Sequence, residues 1–312
     1  MKLYIDKENL ISLMKSKDQP VFSDCSNLIR KNFDVLYNFP KDELKTDSLL
    51  MAWFASFGQG VNGRQEFANT NDERYPTRPI KSNFYNSGNS ELLSSVFLLD
   101  DLHICEVIKN KACILIGGKG DELKVISSLL LSDTEILAKD IPSWSQYLPS
   151  LPLTDIIISD NHYFKSKEVY VSNNNEVLRY LCSIPQNSPV NVVIITKKGE
   201  VDRNIDLNEE IKNIKDLVKE VTDSKKSTAT ILTTYKSHDR ALITNYYRVK
   251  QGCCFHLKDN GLKDDVLTEI KTHGILSNEI ISKKLLTGIF QEIASNPAEC
   301  FGDRKSNYLK FI

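Results

Sequence analysis

The chain reads as α/β, two consecutive α/β domains with mainly parallel sheets, and three observations carry that expectation. Short apolar runs alternate with amphipathic helical segments along most of the 312 residues, the pattern of strand-helix-strand units. ACILIGG at 112–118, TDIIISD at 154–160 and NVVIITKK at 191–198 are apolar nearly throughout, which suits strands covered on both faces of a parallel sheet. A stretch at 132–153 holding Pro142, Pro149 and Pro152 divides the alternation into two sets. This length is long for one domain and short for three. The expected domains are 1–135, with an insertion at about 58–89, and 150–312.

In chain order, KLYID at 2–6 is a strand ending at Asp6, and ENLISLMKS continues at helical spacing. SDCSNLIRKN is a second helix, DVLYNFP a strand stopped by Pro40, and DELKTDSLLMAWFASF a helix whose acidic first turn suits its dipole. Residues 58–89, rich in Gly, Asn, Ser, Arg and Pro, read as a long irregular excursion. Order returns with ELLSSVFLLDD, then LHICEVIKNK as a helix and ACILIGG as a strand central in its sheet. In the second set TDIIISD, NVVIITKK and TATILTTY are strands, with NNNEVLRYLCSI and LNEEIKNIKDLVKEVT as helices between them. RALITNYYRV is a strand of alternating character, QGCCFHL its continuation or partner, and the part from LKDDVLTEIKTHG through KLLTGIFQEIA is mostly helical.

Composition narrows the function classes. Hydrophobic residues at 41% and charged ones at 26% are globular values, and a net charge of −1 argues against wholesale electrostatic capture of nucleic acid. A local basic face stays open: Lys197, Lys198, Arg203, Lys236, Arg240, Arg248 and Lys250 are interleaved with Tyr235, Tyr246 and Tyr247, a pattern suited to phosphate contact and base stacking. The N-terminus has no apolar leader and no segment holds eighteen uninterrupted apolar residues, so the expectation is a cytoplasmic protein without a membrane partner. Cys25, Cys105, Cys113, Cys182, Cys253, Cys254 and Cys300 are scattered, without metal or redox spacing, and read as reduced thiols.

Four acidic residues fall where parallel sheets collect their functional groups, at or after strand ends: Asp6, Glu43, Asp101 and Asp121. Carboxylates gathered in one place are hard oxygen ligands suited to Mg²⁺ or Mn²⁺. A bound ion of that kind polarises a phosphate and generates hydroxide. The stretches YIDKENLISL, KDELK and DLHICEVIKNKACILIGGKGD resemble the PIN-domain nucleases, although Lys7 stands where that family usually has Thr or Ser. The resemblance implies a metal-dependent nuclease with those four residues as metal ligands.

In the second domain, HDRALITN followed by YYRVKQ and GC keeps the order and intervals of the phospholipase D signature. His238 stands at its histidine, Arg240 at its lysine, Asn245 at its aspartate, Gly252 at its glycine and Cys253 at its serine. The segment resembles degenerate, single-motif members of that superfamily, and similar His-Asp-Arg segments occur in bacterial proteins of mobile and antiviral defence loci. The resemblance implies a phospholipase D-like domain with His238, Arg240 and Asn245 as catalytic positions and Arg240, Arg248 and Lys250 as phosphate contacts. One motif per chain implies a homodimer if the site cleaves. The combined expectation is a hydrolase acting on nucleic acid. A non-catalytic adaptor or sensor for a protein partner, nucleic acid or nucleotide is the first alternative, and a metal-independent His-dependent phosphodiesterase the second.

Overall fold

The computed structural model describes residues 2–15, 18, 20–37, 39–56, 65–67, 95–98, 114–116, 128, 130–184, 189–221, 227–252, 255, 257, 268–277, 281 and 284–312. The chain divides into two compact units, Met1–Leu129 and Leu130–Ile312. Both contain helices and a sheet, so the fold is α/β. No helix among the described residues is long and apolar enough to cross a membrane.

The first unit holds strands β1 (Lys2–Ile5), β2 (Asp34–Tyr37), β3 (Gln65–Phe67), β4 (Ser95–Leu98) and β5 (Ile114–Ile116) in the order β3-β2-β1-β4-β5. All their pairings are parallel. Between them run α1 (Lys7–Lys15), α2 (Pro20–Asn32) and α3 (Ser48–Ser56). The helix expected across 42–57 is two pieces, a 3₁₀ turn at Lys41–Lys45 and α3. Asp47 causes the break, because its carboxylate accepts from the backbone N–H groups of Leu49 and Leu50 and so starts a fresh helix. β3 lies inside the segment expected to be irregular. β5, expected to be central, is at the edge of the described strands. Residues 102–111, expected to be helical, lie outside the described residues.

The second unit is one eight-stranded sheet in the order β13-β9-β8-β7-β10-β11-β12-β6. Its strands are β6 (Asp133–Leu137), β7 (Asp155–Ser159), β8 (Asn191–Lys197), β9 (Thr228–Thr234), β10 (Ala241–Thr244), β11 (Tyr247–Gln251), β12 (Glu269–Gly274) and β13 (Glu299–Gly302). Only the β9-β8-β7 core is parallel; the other five pairings are antiparallel, so mainly parallel sheets are not what this unit has. For β10 and β11 the reason is local. β10 and β11 are joined across Asn245 and Tyr246 alone, and a link that short can connect only antiparallel neighbours. β12 was expected to be helical, but its exposure alternates residue by residue, with Ile270, Thr272 and Gly274 turned inward. Residues 132–153, expected to be a boundary, supply edge strand β6 and helix α4 (Trp144–Tyr147).

The parallel core is apolar on both sides because helices cover it. Helix α5 (Ser172–Ser183) packs on α6 (Leu207–Val221), and α6 packs on β9. On one face Ile157, Val193, Ile195, Leu232 and Ile243 bury against Leu285, Leu286, Phe290 and Ile293 of the C-terminal helical segment, which ends in α7 (Phe290–Ser295). Each such side chain contributes about 1.5–3 kcal/mol by leaving water. This rigid platform fixes where the strands end, and the polar residues gather at those ends.

Candidate functional site

At its carboxyl end β7 runs into Asp160, Asn161 and His162. β8 runs into a 3₁₀ turn at Lys198–Glu200, and β9 into the loop that carries His238. Adjacent parallel strands point their carboxyl ends the same way, so these loops share one edge. A cleft of about 860 Å³ opens there. Its walls include Asp160, Asn161, His162, His238, Asp239, Arg240, Lys250, Gly252, Glu269 and Lys271.

Asp160 is fully buried and anchors the cleft floor. Its Oδ1 accepts from the backbone N–H of His162 (2.9 Å) and from Arg240 Nη2 (2.9 Å), and its Oδ2 accepts from Asn174 Nδ2 (3.4 Å). Arg240 also donates through Nη1 to the Gly252 carbonyl, so its guanidinium ties β10 to the end of β11. Asn161 clasps the next loop, donating to the His238 carbonyl (3.0 Å) and to Ser237 Oγ (3.1 Å).

His238 is 9% exposed. Its Nδ1 lies 2.7 Å from Ser159 Oγ, and that hydroxyl donates to the Asp239 carbonyl (3.1 Å). A hydroxyl has one proton, and the carbonyl can only accept. The arrangement that satisfies both bonds therefore places a proton on Nδ1, which leaves the Nε2 lone pair available. Nε2 is buried and has no hydrogen-bond partner among the described residues. Burial lowers the pKa of the imidazole from 6.5 to about 4, outweighing the opposing pull of the Asp239 carbonyl and of the Asp160 and Asp239 carboxylates. At neutral pH the ring is uncharged. An anchored, neutral imidazole with a bare Nε2 can act as an acceptor, a base or a nucleophile.

The three cations of the cleft all face carboxylates. Arg240 meets Asp160, Lys250 lies 3.6 Å from Asp239, and Lys271 lies 2.7 Å from Glu135 and 3.3 Å from Glu269. The cleft is thus charge-balanced, and its distinctive group is the His238 nitrogen.

Of the residues expected in this site, His238, Arg240 and Lys250 come together. Asn245 does not line the cleft: it is fully buried beyond the far end of β10, where its Oδ1 accepts from Thr154 N (3.1 Å) and its Nδ2 donates to the Pro152 carbonyl (3.3 Å). Arg248 is not a lining residue either. It is 2% exposed in β11, opposite His273 across the strand pair, and burial lowers its pKa against the pull of Asp133 and Asp239. Tyr246 and Tyr247 are core residues and offer no stacking surface, whereas Tyr235 is 73% exposed with Lys198 Nζ 5.6 Å from its ring centre. Cys253 lies outside the described residues. Sequence reading missed Ser159, Asp160, Asn161, His162 and Glu200. The signal for four of them was the polar run directly after the apolar strand DIII.

In the first unit, Asp6 follows β1 and is 4% exposed; its Oδ1 accepts from the backbone N–H (2.7 Å) and Nδ2 (2.8 Å) of Asn9, capping α1. Glu43 pairs with Lys7. Asp101 and Asp121 lie outside the described residues. Among the described residues no group of three His, Cys, Asp or Glu is placed to hold a metal ion. No protein-family model matches the chain, and no curated protein matches it.

Proposed function

We propose that the second unit is a phospholipase D-like domain whose cleft takes a phosphodiester group, and that the protein acts on nucleic acid. The observation that carries this reading is the neutral His238 in the wall of a cleft of about 860 Å³, held through Nδ1 and with a buried Nε2 that has no partner among the described residues. That is the form of imidazole that can approach an electrophilic phosphorus. Arg240 frames the site, and Lys250 and Lys271 can swing from their carboxylate partners toward phosphate oxygens, since both are partly exposed. The test is fluorescence anisotropy of short labelled single-stranded DNA and RNA in EDTA. Binding that falls at least about tenfold in His238→Ala and in a Lys250→Ala, Lys271→Ala double variant is the expected result. Wild-type protein that binds neither strand, or variants that bind as well as wild type, would overturn it and favour a docking role for a protein partner.

A second reading is favoured by the place of Asp6. It follows β1, where the strand order β3-β2-β1 gives way to β4-β5, and such switch points form ligand crevices in open parallel sheets. In a PIN-like, metal-dependent nuclease, Asp6, Glu43, Asp101 and Asp121 would hold Mg²⁺ or Mn²⁺, which supplies an activated water. Cleavage lost in EDTA and in Asp6→Asn supports that reading, and cleavage indifferent to both removes it.

A further inference from the structure

The carboxyl edge of the parallel strands carries an exposed aromatic ring as well as the cleft. Tyr235 directly follows β9 in the loop that leads to His238, and 73% of its surface is in water, whereas Tyr246 and Tyr247 are buried. The ring is held in place. Lys198 Nζ lies over its face, 5.6 Å from the centre and within cation–π range, and is itself fixed by donating to Glu299 Oε1 of β13 at 2.9 Å. On the backbone side Thr234 Oγ1 accepts from Lys236 N (3.1 Å), and Lys236 Nζ pairs with Glu292 of α7. Asn161 secures the rest of the loop through Ser237 Oγ and the His238 carbonyl. Ordering a loose side chain is a main cost of binding, and these contacts order Tyr235 before any ligand arrives.

The ring is also joined to the cleft. The 3₁₀ turn at Lys198–Glu200 sets Lys198 against Tyr235 at its start, and at its end Glu200 Oε2 lies 3.2 Å from Nδ1 of His162, a wall residue of the cleft. Three residues of fully extended chain reach at most about 10–11 Å, so Tyr235 and His238 are close enough for neighbouring groups of one strand to occupy both. Both lysines beside the ring face glutamates, Lys198 with Glu299 and Lys236 with Glu292. The patch therefore offers a ligand a flat aromatic face and little net charge. The part of a nucleic acid that matches such a face is a base, and a base is free to stack on it only when the strand is unpaired.

We propose that Tyr235 is a stacking platform for one unpaired base of a single strand whose phosphodiester lies in the His238 cleft, with Lys198 as the positioning residue over the ring. The proposal rests on the reading of the cleft as a phosphodiester site and adds a selectivity to it. The protein takes single strands in preference to duplex and with little regard to sequence, because every base has a π-face.

The test is fluorescence anisotropy in EDTA with three labelled probes of one length: a single-stranded DNA, the duplex of the same sequence, and a single strand of abasic residues. Wild type should bind the normal single strand most tightly. Tyr235→Ala should weaken that binding by about 5- to 100-fold, the range expected of one base–aromatic stack, and at least about threefold more than it weakens abasic binding. Tyr235→Trp should restore it. In a strand carrying 2-aminopurine, saturation with wild type should quench the base fluorescence more than saturation with Tyr235→Ala or Lys198→Ala, and Lys198→Arg should keep the wild-type quench. Equal losses on normal and abasic strands, an unchanged quench in Tyr235→Ala, or duplex bound as tightly as single strand would overturn the platform. Strand binding that depends on His238 and not on Tyr235 would overturn the platform while leaving the cleft reading intact. Wild type that binds no strand would sink both.

Discussion

Holding His238 neutral inside the fold has a measurable consequence in acid. The unfolded chain binds a proton at His238 near pH 6.5, and the folded chain does so only near pH 4. Because the folded pKa is the lower one, folding excludes a proton that the unfolded state takes up. The stability associated with neutral His238 is present above pH 6.5 and drains away as the pH falls toward 4. Between pH 7 and pH 5 the two titration curves imply a loss of about 2 kcal/mol, rising to about 3 kcal/mol at pH 4. Other groups also titrate in this window, so the observable is the difference between wild type and His238→Gln, which keeps a polar side chain but cannot ionise. Each unit contains one tryptophan, Trp53 or Trp144. Guanidinium denaturation followed by Trp144 fluorescence in a Trp53→Phe background therefore reports on the second unit. Wild type should lose about 2 kcal/mol more than His238→Gln on going from pH 7 to pH 5. Equal losses would show that His238 titrates as an open surface histidine, and the argument for its bare, neutral Nε2 would fall.

Three further outcomes follow from the same geometry. Restoring the motif's acid with Asn245→Asp should destabilise the second unit by about 3 kcal/mol, because the donor to Pro152 O is lost and a charge is buried against that carbonyl; denaturation measures the cost, and an oligonucleotide titration should show no gain in affinity. Arg240→Ala strands the buried Asp160 carboxylate and should cost about 3–5 kcal/mol, with Arg240→Lys only a partial rescue because one ammonium cannot span both Asp160 and the Gly252 carbonyl. Gly302→Ala should cost about 3 kcal/mol or more, since Gly302 has φ +90° and a Cβ there would sit 2.2 Å from the Ala229 carbonyl oxygen; a melting temperature within a few degrees of wild type would contradict it.

Much of the α/β frame was legible in the residues, and the reasons for the failures are specific. Continuous apolar runs marked β7 and β8, which are buried on both faces, and the β-branched run TATILTT marked β9, also buried throughout. The direction of the remaining strands was not legible from those runs. It is set by the Asn245-Tyr246 link and by β6 and β12 pairing across 136 residues of sequence, as in Lys271 with Glu135. β12 itself was hidden because its alternation is short and its inward positions include Thr272 and Gly274, so only Ile270 marks the buried face with a large apolar side chain.

The candidate site divides in the same way. His238 and Arg240 lie just before β10 and Lys250 lies in its hairpin partner β11, so their spacing along the chain carried their proximity. Asp160 and His162 reach the cleft, with Glu200 beside His162, only because β7, β8 and β9 are neighbours, and no local spacing encodes that. Asn245 kept the motif's interval but is held in the interior by Thr154 and Pro152, and Arg248, expected as a phosphate contact, is turned inward in β11.

The most direct test of a phosphodiester site at His238 is the ¹⁵N spectrum of the imidazole nitrogens at neutral pH in EDTA, recorded with and without thymidylyl-thymidine. The account predicts a His238 ring protonated at Nδ1 and bare at Nε2, with the Nε2 resonance shifting as the dinucleotide is added. A ring protonated at Nε2, or an Nε2 resonance that stays still while only the amides of Lys250 and Lys271 respond, would contradict it.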